Sequence, residues 1–299
     1  MTRRLIDFTG GNMKSLLLFA ALVVATPAHS AEMVSESHFH LLSTKCEAEV
    51  ADGPESTPQS PPLVVDDPAT PGCNKWEINV VVDGDVTRLQ SALELPLLDI
   101  NYGVGDNLQL KYELPYMNNQ AEGTTTSALG ESRAGVKYMF FENEEAKLQF
   151  AVYPQLTFIS SNAEVVKNGL ASPGTITTLP LLMAVRVGQA GGGDVNLTAN
   201  LGYNVSTKED VSNFVSASVG VGSPVLRRLS VMGELTTEQA ISRNSDEARQ
   251  QLVKADLGVM GTISKKFLLF GSVGHSLYAS DELDHTYVLG GFRVVTGGI

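Results

Sequence analysis

The segment 147–158 alternates in side-chain character residue by residue. Leu148, Phe150, Val152, Pro154, Leu156 and Phe158 form one parity set; Lys147, Gln149, Ala151, Tyr153, Gln155 and Thr157 form the other. A β-strand sends successive side chains to opposite faces, so this run reads as a strand with one oily and one wet face. The pattern recurs at 76–83, 98–103, 107–116, 133–140, 177–188, 195–204, 214–221, 229–235, 252–261, 267–275 and 287–294. It is faintest in the runs at 214–221, 252–261 and 267–275. Twelve strands with little helical signal between them predict an all-β fold, and leave open whether the oil faces a protein core or lipid.

The connections carry independent information. Those at 105–106, 142–147, 189–194, 222–227 and 264–266 are short, whereas 117–130, 159–174 and 236–249 are longer and polar. Alternating tight turns and larger loops are the signature of an antiparallel up-and-down transmembrane β-barrel with its turns in the periplasm. The even strand count and near-bilayer strand lengths favour lipid over a soluble barrel of about eight strands. So do charges of both signs on the wet faces, which suit a water-filled channel. Lys111, Glu113, Arg133, Lys137, Arg186 and Arg293 are the expected lumen-lining residues. Tyr102, Tyr112, Tyr116, Tyr138, Phe141, Tyr153, Phe158 and Tyr203 are candidates for partial interfacial girdles. The alternative is a soluble exported β protein that binds a ligand or partner, with the same charges on its outside.

Residues 1–30 read as a signal peptide: Arg3, Arg4 and Lys14, then an apolar stretch at 15–25, then small residues before Ala31. Residues 31–75 carry Pro54, Pro58, Pro61, Pro62, Pro68 and Pro71, a density that opposes regular structure. They read as a periplasmic arm, with a plug inside the barrel as the alternative. The two cysteines, Cys46 and Cys73, fall in this arm, and an even pair in an oxidising compartment predicts one disulfide. The barrel is assigned 76–299. The net charge of −12 argues against a nucleic-acid partner, since phosphates call for basic patches. The expected surroundings are the outer-membrane bilayer and small-molecule solutes.

The segment 95–110 (LPLLDINYGVGDNLQL), followed by Leu114-Pro115-Tyr116, resembles the outer-membrane porins named for the phenol-degradation pathway. So do Gly135-Val136-Lys137-Tyr138-Met139-Phe140, Tyr153-Pro154-Gln155-Leu156, Ala199-Asn200-Leu201-Gly202-Tyr203 and Gly233-Glu234-Leu235. The resemblance covers roughly 76–295 and implies a barrel channel passing small, often aromatic or hydrophobic, compounds. The chain departs from that family in its cysteine-bearing arm.

Three constellations bear on chemistry. His275-Ser276 with Asp284-His285 would serve a barrel hydrolase only if Ser276 met a base across the hairpin. His38, His40 and Cys46 are weakly spaced for a metal. Gly191-Gly192-Gly193 lacks the strand-to-helix context of a phosphate loop and reads as a turn. The expectation is therefore a passive channel, not an enzyme, with no cofactor and no metal.

Overall fold

A computed structural model describes residues 37–42, 44, 46, 65–160, 164–191, 193–241, 251–281 and 283–297. The expected signal peptide lies outside the described residues. The strands are β1 (Ser37–Phe39), β2 (Lys75–Val86), β3 (Gln90–Gly103), β4 (Leu108–Ala121), β5 (Thr124–Leu129), β6 (Ser132–Asn143), β7 (Leu148–Val152) and β8 (Gln155–Phe158). After a one-turn helix, α1 (Glu164–Lys167), come β9 (Ile176–Ala190), β10 (Gly193–Ser206), β11 (Phe214–Leu226), β12 (Leu229–Ala240), β13 (Gln251–Ser264), β14 (Phe267–Ala279) and β15 (Thr286–Gly297).

All pairings are antiparallel, and the sheet closes where β15 pairs with β2, from Thr286↔Val86 to Gly297↔Lys75. Twelve staves make the ring: β2, β3, β4, β6, the broken pair β7/β8, and β9 to β15. β7 and β8 are one strand interrupted at Tyr153-Pro154, and both lie between β6 and β9. Pro154 has no N–H to give, but its carbonyl accepts from Val136 N–H at 3.0 Å. The interruption lies within the wall, four residues short of the strand's end at Phe158.

One end of the barrel carries the tight turns after β3, β6, β9, β11 and β13; the other carries the longer connections. Lys75 and Gly297 lie together at the tight-turn end, the periplasmic side in barrels of this kind. The stretch 117–130, expected to be a loop, is mostly a hairpin extension of β4 and β5 turning at Glu122-Gly123. Its residues (Asn118, Asn119, Gln120, Thr124, Thr125, Thr126, Ser127) are polar at both parities, so they give no alternating signal. The helix α1 rests against this hairpin, with Asn168 Nδ2 donating to Ser127 O at 3.4 Å. β1 adds to the tight-turn end of β6, pairing Ser37 to Asn143 and Phe39 to Phe141.

Burial inverts the order of a soluble protein. Leu257 is 71% exposed and Leu201 56%, whereas Asn79, Gln109, Lys137 and Asp256 are each at most 5% exposed. Along β4, Leu110 and Tyr112 face out while Gln109, Lys111 and Glu113 face in. In water, a continuous apolar belt of this size would drive aggregation; in a bilayer it is the required surface. Aromatic rings edge both rims. At the tight-turn side Trp76 packs at a tilt on Tyr102, Phe39 meets Phe141 edge-on and Phe267 stacks with Phe292, while Tyr116, Tyr203 and Tyr278 stand outward toward the other. Tyr153, counted among the girdle candidates, points inward instead and is buried.

Candidate functional site

Inward-facing side chains of β2, β3, β4, β6, β13, β14 and β15 enclose a cavity of about 440 Å³. Its wall carries a continuous chain of polar contacts from strand to strand. Arg293 on β15 pairs with Glu77 at 3.0 Å, and its Nε donates to Asn79 Oδ1 at 2.9 Å. Asn79 Nδ2 donates to Asp99 Oδ2 at 2.9 Å, and Lys111 lies 3.8 Å from Asp99 and 2.5 Å from Glu113. Glu113 in turn meets Arg133 at 3.1 Å. Each charge taken from bulk water is thus offset by an opposite neighbour or a hydrogen bond, which makes a charged interior tolerable.

Tyr153 sits within this wall. Lys137 Nζ lies 5.0 Å and Lys111 Nζ 5.7 Å from its ring centre. The ring fits because Gly135 lies beneath it: a Cβ there would stand 3.1 Å from Tyr153 Cε2 and 3.0 Å from Gln155 Cγ.

Of the six expected lumen residues, Lys111, Glu113, Arg133, Lys137 and Arg293 line the cavity. Arg186 does not: near the tight-turn end of β9, it donates to Glu145 O at 2.6 Å and lies 3.8 Å from Asp194. Glu94 also lines the cavity, outside the strand expected from 98 onward. A register shift between Glu94 and Leu97 changes which parity faces in, so simple alternation could not find it. The inner face is not wholly polar. Val81, Met232, Met260 and Phe270 form a buried cluster inside the barrel, flanked by Leu97, Leu268 and Leu289.

The end of the arm enters the lumen. Val65 is buried against Thr198, Gly220 and Met232. Asp66 N–H donates to Asn200 Oδ1 at 2.9 Å, and Asn200 Nδ2 donates back to Asp66 O at 2.7 Å. Lys137 Nζ donates to the carbonyls of Asp67 at 2.8 Å and Ala69 at 3.1 Å. Thr70 Oγ1 donates to Asp106 O at 2.8 Å, in the β3–β4 turn. Gly72 then presses on the end of β3, where a Cβ on Gly103 would lie 1.9 Å from Gly72 O. Cys46 and Cys73 are joined, their Cα atoms 5.5 Å apart. Residues 65–69 therefore lie within the barrel and 70–72 at its tight-turn end, as the plug alternative has it, where proline-rich composition suggested solvated backbone outside. Residues 37–41 of the arm run along the tight-turn rim.

At the opposite rim His285 is held by two carboxylates. Its Nδ1 lies 2.9 Å from Asp85 and its Nε2 2.9 Å from Asp281. Burial works against the charged ring, but bonding to Asp85 and Asp281 outweighs it, and the pKa lies above the ordinary histidine value. Burial would raise Asp281, yet the Leu283 N–H and His285 hold its carboxyl below the usual range. Ser276 Oγ accepts from the backbone N–H of His285, at 2.9 Å, rather than facing a ring nitrogen. Among the described residues no group of three His, Cys, Asp or Glu is placed to hold a metal, and Cys46 is engaged in its disulfide.

No protein-family model matches the chain, and no curated protein matches it. Solved structures do. An outer membrane channel from Pseudomonas putida F1 superposes with a TM-score of 0.60 at 13% identity, covering 83% of this chain and 100% of that one. The KdgM porin gives a TM-score of 0.43 at 12% identity, over 73% of this chain and 98% of the porin. The first likeness shows a shared fold; the second superposes too loosely to add to it. With its closed ring, apolar exterior and polar interior, the chain is an outer-membrane β-barrel.

Proposed function

We propose that this barrel is a passive channel for small water-soluble solutes and that it favours cations. The observation that carries the reading is the lining of the cavity, which presents eight carboxylates, six on the strands and two (Asp66 and Asp67) on the arm, against five Lys and Arg side chains. An excess of one sign in a narrow, low-dielectric passage concentrates counter-ions and repels co-ions. The aromatic or hydrophobic solutes implied by the family resemblance fit this charged wall less well. Inside the barrel, the cluster around Met232, Met260 and Phe270 is the surface that would suit them. A hydrolase reading has the geometry of His285 against it, because both ring nitrogens are taken by carboxylates. No catalytic step belongs to the proposal.

Reversal potentials in a planar bilayer under a potassium chloride gradient test it. Current should reverse on the cation-selective side, and Glu113→Gln should move the reversal potential toward zero. An anion-selective current would overturn the charge argument.

A further inference from the structure

The contacts between the lumen wall and residues 65–72 have an unusual character. Asn200 and Lys137 touch the main chain of this segment. The Asn200 amide matches both the N–H and the C=O of Asp66, as a neighbouring strand would. It is itself supported by Ser218 Oγ, which donates to its Oδ1 at 3.3 Å. Lys137 gathers two carbonyls with its ammonium while lying over the Tyr153 ring. Both anchors therefore bind peptide backbone groups and touch none of the segment's side chains through these bonds.

The segment they hold spans the barrel. Val65 packs against β10 to β12, whereas Gly72 lies on the end of β3, five to six staves away around a ring of twelve. A chain crossing nearly the full diameter obstructs whatever the barrel conducts.

We propose that Asn200 and Lys137 form a main-chain-binding site in the lumen, that residues 66–69 of this same chain are its resident ligand, and that their occupancy keeps the channel shut. The last clause rests on the channel reading above; the site itself does not. The Asn74 N–H, donating to Gly103 O at 2.9 Å, holds the segment's rim end beside β3, so release is expected at Asp66 to Ala69, where the two anchors bind. Opening requires the breaking of four hydrogen bonds to the two anchors. Their joint loss should raise the released fraction at least about tenfold.

Two readouts test this on the full-length protein. The first compares single-channel records of the wild type, of Asn200→Ala with Lys137→Met, and of a chain whose residues 65–71 are replaced by an equal length of Gly and Ser. The replaced chain should conduct steadily, the wild type should open rarely, and the double variant should have an open fraction at least about tenfold above the wild type. A double variant that matches the wild type while the replaced chain conducts would overturn the site. A replaced chain that inserts but stays silent would overturn the channel reading and the gating clause with it. The second readout needs no current: a Val65→Cys thiol should react with a water-soluble maleimide at least about tenfold faster in the double variant than in the otherwise wild-type chain. Equal rates would overturn the site even if no protein conducts.

Discussion

Asp256 and Leu257 are adjacent in sequence and opposite in surroundings, one sealed inside the barrel and the other facing out. The contrast makes Leu257 a sharp probe. On a soluble surface, Leu257→Arg would change stability by less than about 0.5 kcal/mol. Near mid-membrane the same change should cost about 2–4 kcal/mol, read as a lower denaturant midpoint for barrel unfolding from lipid vesicles. Gly135 makes the complementary point from inside. A valine there would push on Tyr153 and Gln155, and the expected loss is about 1–3 kcal/mol in the same assay. Neither the Gly135 seat nor the inward pose of Tyr153 could be taken from residue type. Tyrosine belongs equally to membrane rims and to lumen walls, and the parity of 153 relative to Gln149 and Gln155 was the better guide.

At the level of elements, the strands were legible because most expose apolar residues on one side and polar residues on the other. The alternation faded at 252–261 and 267–275, and the structure gives the reason: Met260 and Phe270 face inward, so the inner face there is also apolar. In 214–221 the inward positions include Ser218 and Gly220, too small to contrast with their neighbours. At the rim, His285 ties the connection before β15 to Asp85 at the end of β2, and this clip should depend on pH. A raised histidine pKa contributes stability below the ordinary value and loses it as pH rises through the raised one. The lowered Asp281 contributes above the ordinary aspartate value and loses it as pH falls through the lowered one. The clip should therefore be complete from roughly pH 4 to 6.5. Hydrogen exchange at the Leu283 amide, followed against pH, should show greatest protection in that window. In His285→Asn the loss at the alkaline end should disappear.

For the whole molecule, closure followed from the strand count, but the contents of the barrel did not. The segment 65–72 carries no periodic signal, and its anchors bind backbone groups that every residue possesses. Nothing in its composition marks Asp66 or Asp67 as partners of Asn200 and Lys137. The wall charges were partly visible as the polar members of each strand; their pairing into one run from Arg293 to Arg133 depends on register, which residue types do not encode. On the proposed reading, that run and the acidic excess around it would make the interior a cation path, with the chain's own arm lying across it.

The central claim is that water and cations share the inside of this barrel while lipid holds the outside. The most direct test is the reversal potential of the chain with 65–71 replaced by Gly and Ser, reconstituted in a planar bilayer under a tenfold potassium chloride gradient. With Asp66 and Asp67 gone, six wall carboxylates still face five Lys and Arg side chains, so the account predicts discrete conductance steps that reverse on the cation-selective side. Inserted protein that carries no current, or current that reverses on the anion-selective side, would contradict it.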